Sequence, residues 1–492
     1  MAHLGRLLLV SLSFAAGVAA IVACSSGDPA SPDRPKALPP PDPSASSGGS
    51  ATGSGPTFHK DVEPILQDHC QKCHTKGGLG PFELMTFGDA HAMAPAMVSE
   101  TASRRMPPWG AQDTAECKPK LPWDHDERLT EVELKTLVDW EAAGAPEGDP
   151  KLAPPPRIPE KQELKGATDT LLPRAAFTTS GDRDQFRCFV LDHPYQAGVY
   201  VTGIHVIPGN TKVVHHAVVF TDPGGAFAAR AGADGSFDCS SSAMMNVGGG
   251  GLMTGAESIT LDVWTPGITP VDLPSNIAIP LVANSKLILQ IHYSPGGKTA
   301  EPDRTKVQLR ASLTKPEYLL FTSSVGNAAV QVATTGDGLL PGPDDPSAAP
   351  LFEIPKNLHS HIERMQFTMP ARAAGAENQK IWLYGVMAHQ HLAGIDVKID
   401  LERGSDSQCL LQDKWDFHWQ RMYTYAAPVE KLPTLEPGDK IKLRCTYDNS
   451  MANRRLGAEL KNRGLSPIDI HLGEQTLDEM CLVIPQLLVK NP

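Results

Sequence analysis

Two histidines separated by a single residue, His389 and His391, lie in a run of apolar residues late in the chain. Side chains on an extended strand alternate between its two faces, so residues i and i+2 point to the same side. Two imidazoles on one face can bind one metal ion, and histidine is the commonest metal ligand. Further along, Met480 offers a thioether, a soft donor that suits a copper ion visiting the Cu(I) state. The three residues together predict a copper site.

A second histidine set lies earlier in the chain, with His215 and His216 adjacent and His292 in the run Leu-Gln-Ile-His-Tyr. Neighbouring residues on a regular strand face opposite ways, so they share a metal only at a bulge or a strand end. Pro208-Gly209-Asn210, just upstream, fits an irregular start to the strand. The pair by itself is more often one core and one surface histidine. Together with His292 on a second strand, it predicts a three-imidazole metal site.

A third motif, Cys70-Gln71-Lys72-Cys73-His74, has the C-x-x-C-H spacing of covalent c-type haem attachment. Two thiols bind the haem vinyl groups and the imidazole is the proximal iron ligand. The alternatives are a thioredoxin-like C-x-x-C or half of a zinc site. Neither requires the histidine that follows, and the chain has no second C-x-x-C. The motif predicts one covalently bound haem c.

The second axial ligand of this haem is predicted to be Met106. It lies in Arg104-Arg105-Met106-Pro107-Pro108-Trp109, where proline makes the loop rigid enough to hold a ligand. Met85, Met93 and Met97 are the other candidates, and each is more typical of ordinary packing.

A helix is predicted from about residue 131 to 143. Thr130 and Glu133 have the spacing of a capping box, and Gly144 ends the pattern. The block 57–150 resembles a class I-type cytochrome c domain, a resemblance carried mainly by the C-x-x-C-H motif.

The front of the chain is predicted to direct export. Residues 1–23 have a basic start and an apolar core, which is typical of a secretory signal and short for a membrane span. Their end resembles a bacterial lipobox, so Cys24 is expected to be lipidated; the alternative is an ordinary signal with a chance cysteine. Residues 24–56 are rich in Pro, Ser and Gly and predict a flexible tether. Ser25 fits sorting to the outer membrane, with the mature protein on its periplasmic face or at the cell surface.

The length of 492 residues predicts about three domains of ~150 residues each. A net charge of −12 and the lack of Lys/Arg runs argue against nucleic-acid binding. After a linker at 151–172, short apolar runs alternate with Gly, Pro and Asp turns, which predicts β-sandwiches at 173–310 and 311–492. The predicted fold is therefore a small all-α cytochrome c domain followed by two all-β, jelly-roll-like sandwiches.

The order of the metal ligands resembles that of copper type II, ascorbate-dependent monooxygenases, the family of peptidylglycine α-hydroxylating monooxygenase and dopamine β-monooxygenase. The similarity covers roughly residues 175–490. It implies two sandwiches facing each other across a solvent-filled cleft, one with an electron-transfer copper and one with an oxygen-binding copper. By position, the first copper takes His215, His216 and His292, and the second takes His389, His391 and Met480.

Six cysteines remain after lipid and haem attachment, and they allow fifteen pairings. The family resemblance implies disulfides between Cys188 and Cys239 and between Cys445 and Cys481. It assigns no partner to Cys117 or Cys409, the other two cysteines.

The chain departs from the family where peptide-modifying members bind the substrate carboxylate. Met387, Leu482 and Ile484 stand at the positions of an arginine, an asparagine and a tyrosine. Without paired polar groups a buried carboxylate is costly, so a small apolar substrate is expected instead of a peptidylglycine.

Three further stretches carry residues that could be mistaken for site residues. His359 and His361 form another H-x-H outside the family's ligand order, His205 is expected to be a packed or surface histidine, and the aromatic run 415–420 is expected to be sandwich core.

The first hypothesis is a membrane-tethered copper monooxygenase that hydroxylates a C–H bond with O2. It would carry two copper ions, with the haem relaying electrons from an external donor to the His215/His216/His292 copper. The alternative is a non-catalytic copper and haem lipoprotein for electron transfer or copper handling. In a further alternative, the haem and copper modules serve separate partners.

Overall fold

The structure is a computed structural model, and it describes residues 55–157, 163–181, 184–239, 258–294, 300–332, 334–342, 345, 350–370, 380–473 and 475–492. The predicted signal peptide, the lipidation site Cys24 and nearly all of the predicted tether lie outside the described residues. Within the described part, no helix has both the length and the apolar character needed to cross a membrane.

A small helical module follows residue 55 and has its own apolar core. A π-helical turn, Phe58–Val62, leads into α1 (Glu63–His69), followed by α2 (Phe87–Ala102) and α3 (Glu131–Ala142). The capping box predicted for α3 is confirmed, with Thr130 and Glu133 exchanging side-chain and backbone hydrogen bonds. The core of the module includes Phe58, Leu66, Met97, Leu137 and Trp140.

The rest of the described chain is mostly β-structure, which confirms the predicted β character of this part. The strands before residue 315 are β1 Asp169–Leu171, β2 Phe177–Thr178, β3 Gln185–Leu191, β4 Val199–Ile207, β5 Val214–Asp222, β6 Ser236–Asp238, β7 Thr260–Trp264, β8 Val271–Asp272, β9 Ile277–Leu281, β10 Lys286–Tyr293, β11 Pro302–Asp303 and β12 Lys306–Ser312. Those after it are β13 Tyr318–Thr322, β14 Val325–Gly326, β15 Gly338–Leu340, β16 Glu353–Ile354, β17 His361–Thr368, β18 Ile381–His389, β19 Gly394–Arg403, β20 Asp406–Asp413, β21 Tyr423–Thr424, β22 Thr434–Leu435, β23 Lys440–Tyr447, β24 Ile470–His471 and β25 Leu482–Lys490. An α-helix that was not predicted, α4 (Arg454–Arg463), and two 3-10 turns, Ala228–Arg230 and Val429–Lys431, also lie among the described strands.

The two β halves are joined through a shared sheet. In the first half, β10 lies between β3 and β5, and β5 also pairs with β7. The last strand, β25, pairs with β13 on one side and with β18 on the other, while β13 also pairs with β7 and β9. The strands that carry His215, His216, His292 and His389 therefore belong to one hydrogen-bonded network. A separate five-stranded sheet, β15-β17-β23-β19-β20, packs within the second half.

A strap formed by residues 109–126 crosses from the helical module onto the second β half. Trp123 forms a β-bridge with Tyr425 and stacks on its ring at 4.8 Å, and Ala111 bridges to Asp413. Within this strap, Cys117 forms a disulfide with Cys409 across 292 residues of sequence. The two disulfides implied by the family resemblance, Cys188–Cys239 and Cys445–Cys481, are confirmed.

We expect the strap disulfide to contribute strongly to stability, because it closes a very long loop in the unfolded chain. The double substitution Cys117→Ala/Cys409→Ala should lower the free energy of unfolding by about 2–5 kcal/mol. Guanidinium titration followed by tryptophan fluorescence measures this loss. Ser407→Ala, an exposed position on the same strand as Cys409, is the control. A double variant as stable as the parent would contradict the expected role.

Candidate metal centre

His215, His216 and His292 come together because the strand ladder is irregular where they meet. On β5 and β10, His292 is opposite His216, while the next residue, Tyr293, is opposite Val214. The register thus skips His215, which allows both adjacent histidines to face the same point. Their Nδ1 atoms lie close, 3.2 Å from His215 to His216 and 3.3 Å from His292 to His216.

This cluster has the donor chemistry of a metal site. The candidate ligand atoms of the three rings all lie within 4.8 Å of one another. Burial lowers the pKa of His215 and His216 well below the usual range, and the neighbouring His292 lowers both further. Neutral imidazoles with converging nitrogens are the form in which histidine binds a metal.

Asp184 orients the third ring of the cluster. Its carboxylate lies 3.7 Å from His292 Nε2 and also accepts hydrogen bonds from Ser294 Oγ at 3.0 Å and Thr476 N at 3.2 Å. Burial opposes ionisation, but the adjacent His292 ring and the hydrogen bonds from Thr476 and Ser294 outweigh it and hold the pKa of Asp184 below its ordinary value. A carboxylate behind the ring of a ligand histidine fixes its orientation. Asp184 therefore leaves His292 Nδ1 directed at the cluster.

His389 and His391 are each held through Nδ1. His389 ends β18, and its Nδ1 lies 2.8 Å from Gln420 Oε1; His391 Nδ1 lies 3.0 Å from the carbonyl oxygen of Asp478. With Nδ1 engaged, Nε2 is the ligand atom that each ring offers. Burial lowers the pKa of His389 to about 4 and that of His391 to about 3, so both rings are neutral near pH 7.

Met480 is placed beside this pair by its neighbour Glu479. One carboxylate oxygen of Glu479 accepts from the backbone N–H of His391 at 2.8 Å and of Met480 at 3.1 Å; the other accepts from Ala393 and Gly394. The side chain of Met480 is buried, at 5% exposure. Burial raises the pKa of Glu479 to about 8, against the opposing effect of the four N–H donors. Glu479 thus holds the backbone of Met480 close to that of His391.

The two ligand sets are neighbours in the structure. The rings of His216 and His389 lie 6.3 Å apart between centroids. Phe417 stacks on His215 at 4.3 Å and lies 6.0 Å from His391. The family resemblance implies a solvent-filled cleft between two sandwiches; in the structure, β13, β25 and β18 pair in sequence and connect the two halves within one sheet.

Trp415 and Phe417 of the aromatic run 415–420 lie in the apolar core, as predicted, and the run also contacts both ligand sets, which was not predicted. Trp415 Nε1 donates to the carbonyl oxygen of His391 at 2.8 Å, and its ring lies 5.7 Å from that of His389. Gln420 accepts from His389 and Phe417 covers His215. The one signal in the sequence for this role was the high density of aromatic and hydrogen-bonding residues. Buried core can have the same composition.

The C-x-x-C-H residues form a separate site in the helical module. Cys70 and Cys73 are free thiols, and burial raises the pKa of Cys70 to about 12. His74 Nδ1 lies 3.0 Å from the carbonyl oxygen of Phe82, which leaves Nε2 as the atom for an iron. A Cβ at Gly80 would lie 2.6 Å from His74 Nδ1, so only glycine fits there. Two unpaired thiols beside an oriented imidazole suit covalent haem attachment.

The predicted second axial ligand, Met106, lies half-buried on the loop after α2. Of the alternatives, Met97 is in the core of the helical module, Met93 packs against that core, and Met85 is half-buried before α2. The choice of Met106 stays a prediction.

The remaining candidates lie elsewhere in the structure. His359 is exposed near Ser450 and Asp448, and His361 contacts Glu363 at 2.9 Å. His205 is buried on β4. Among the described residues, the only group of three or more His, Cys, Asp or Glu ligand atoms with metal-binding proximity is the His215 cluster.

Comparison with known families identifies part of the chain. Residues 354–484 match the model of the copper type II ascorbate-dependent monooxygenase family, C-terminal domain. The matched segment contains His389, His391 and Met480. No curated protein matches the chain.

Solved structures give only distant similarity. The major capsid protein P2 from bacteriophage PM2 is 8% identical, with a TM-score of 0.25, and the match covers 66% of this chain and 98% of that one. The Paenibacillus xanthan lyase is 11% identical, with a TM-score of 0.15, covering 69% of this chain and 28% of the lyase. TM-scores this low do not establish a shared fold.

We expect Gln420 to tune metal affinity at the histidine pair. Gln420→Leu removes the acceptor for His389 Nδ1 at similar side-chain volume, so the affinity for Cu(I) should fall by about 10–100-fold. Competition with a colorimetric Cu(I) chelator measures this fall.

Gln412→Leu is the matched control for that substitution. Gln412 is also buried, but it contacts Thr114 in the strap instead of a candidate ligand. Equal Cu(I) affinity in the parent and Gln420→Leu would contradict the role given to Gln420.

Proposed function

We propose that the chain is a copper-dependent monooxygenase that inserts one atom of O2 into a C–H bond of a small substrate. The observation that carries the proposal is the approach of two ligand sets. A histidine pair within the matched monooxygenase domain lies 6.3 Å, ring to ring, from a separate cluster of three imidazoles. Three protein ligands at each set leave a coordination position open, as a catalytic metal requires.

Copper bound at these sets supplies one-electron redox chemistry and oxygen activation, and a c-type haem supplies single electrons. The chain's own residues position those groups. His389 and His391 would hold one copper through Nε2, together with the soft donor Met480. His215, His216 and His292 would hold the other through Nδ1, with Asp184 orienting the third ring. Burial lowers the pKa of His215, His216, His389 and His391, which favours the neutral form that binds a metal.

The substrate proposed is small and apolar. Met387, fully buried, is opposite Ile484 in the β18–β25 ladder, and Leu482 is opposite His389. These three side chains provide no hydrogen-bond partner for a carboxylate, and a buried carboxylate without one is costly. The apolar side chains beside His389 therefore favour a substrate without a charged terminus.

The proposal extends to the electron supply and the location of the protein. One haem c at Cys70, Cys73 and His74, with Met106 as second axial ligand, would relay electrons from an external donor. Fusion to the copper domains raises its effective concentration to about the millimolar range. Lipidation at Cys24 would tether the exported protein to a membrane, and the three disulfides support an oxidising compartment.

Oxygen uptake tests the proposed reaction. Protein loaded with two coppers should consume O2 with an apolar substrate and a reductant, and Met480→Ile should reduce this uptake to background, because loss of the thioether disfavours Cu(I). Met451→Ile, at an exposed methionine, is the matched control and should keep full uptake. Fully copper-loaded protein without substrate-dependent uptake would favour the electron-transfer or copper-handling alternative.

The proposed substrate class is tested by comparing a charged with an uncharged substrate and by a substitution at one of the apolar positions. A peptide ending in glycine should be turned over far less efficiently than an uncharged substrate of similar size, measured as kcat/KM. The substitution Met387→Arg should raise kcat/KM for the glycine peptide, because it supplies a cation for the carboxylate. Efficient turnover of that peptide by the parent protein would contradict the proposed substrate class.

A further inference from the structure

Residues 415–421 contact the candidate haem site as well as the candidate copper sites, and we call them the bridging segment. On the haem side, a Cβ built at Gly267 would lie 3.0 Å from the Trp419 ring and 3.7 Å from Leu79 Cδ1. Trp419 and Leu79 therefore pack at the same point. Leu79 directly precedes Gly80, the glycine that lies against the ring of His74. Trp419 thus lies at the loop that follows the C-x-x-C-H motif.

Arg421 links the same segment to the C-x-x-C-H motif through ion pairs. Its guanidinium lies 3.0 Å from Glu127, and Glu127 also pairs with Lys72, which is inside the motif. The Arg421 guanidinium also lies over the Trp109 ring at 5.0 Å. These contacts hold the segment against the haem-attachment residues.

On the copper side, the segment contacts both ligand sets. Phe417 stacks on His215 at 4.3 Å with the rings 22° from parallel, and Gln420 holds His389. Gln420 Nε2 donates to the carbonyl oxygen of Phe417 at 3.0 Å, and Thr265 Oγ1 donates to the carbonyl of Gln420 at 2.6 Å. The segment is therefore fixed on both sides. Phe417 and Trp419 are two residues apart, so their Cα atoms are separated by at most about 7 Å.

We infer that the bridging segment is the route by which electrons pass from the haem to the His215/His216/His292 copper. Trp419 is its contact on the haem side and Phe417 its contact on the copper side. In this step one electron leaves ferrous haem and reduces Cu(II) to Cu(I), and ferric haem remains; no bond changes and no proton moves. The inference rests on the electron relay in the proposed function and names the residues through which it runs.

Flash reduction of the haem tests the route without turnover. Oxidised, anaerobic protein carrying haem and two coppers receives one electron at the haem from a photogenerated reductant, and haem absorbance then follows its re-oxidation. Trp419→Leu should slow re-oxidation at least tenfold, and Trp419→Phe should restore part of the rate because a ring remains. Phe367→Leu, a half-buried position on β17, is the control and should match the parent.

Two further measurements make the result specific. The haem midpoint potential and the Cu(II) EPR spectrum should be the same in the parent and the variants, which shows that the driving force and the sites are intact. An unchanged re-oxidation rate in Trp419→Leu, with transfer present in the parent, would overturn the route and leave the proposed relay standing. A haem that stays reduced in the parent protein would overturn both the relay and the route. Oxygen uptake with ascorbate as reductant tests the monooxygenase reaction independently of the haem relay and of its route.

Discussion

The candidate site formed by His389, His391 and Met480 depends on the hydrogen bonds of one buried side chain, Glu479. A polar group removed from water is costly unless it is hydrogen-bonded, and the Glu479 carboxyl group accepts from the backbone N–H groups of His391, Ala393, Gly394 and Met480. By binding the amides of His391 and Met480 with one oxygen, it ties two distant parts of the chain together. The Cys445–Cys481 disulfide and the hydrogen bond from Tyr447 to the Met480 carbonyl at 2.7 Å fix the same point. The thioether therefore lies on a backbone with little freedom.

Around this point, the protein orients its candidate histidine ligands. Each ring of the histidine pair uses Nδ1 for a protein acceptor, whereas the rings of the cluster direct Nδ1 toward one another. The two sets therefore offer different nitrogens of the same side chain. Such second partners of ligand histidines determine ring orientation and basicity. Burial lowers the pKa of His215, His216, His389 and His391, because a charged imidazolium is disfavoured away from water.

The strap and the bridging segment make the helical module part of the same folded unit as the two β halves. Trp123 of the strap stacks on Tyr425, and Arg421 of the bridging segment pairs with Glu127 just beyond the strap. The Cys117–Cys409 disulfide makes this attachment covalent. A haem held by Cys70, Cys73 and His74 would thereby be placed on a defined side of the protein, which a flexible linker alone would not achieve.

The sequence by itself determined features that depend on residue type and short-range spacing. The C-x-x-C-H motif, the α3 capping box, the β character and the order of the candidate ligands could all be predicted, because each is local or repeats with a fixed period. Only the tertiary structure decided that His216 and His389 are neighbours, that Cys117 pairs with Cys409, and that Phe417 and Gln420 contact candidate ligands. These contacts join residues far apart in the chain. The residue types in the run 415–420 are equally compatible with plain core and with a segment that supports a site. Strand register and packing determine which of these two roles the run has, and neither can be read from the local sequence.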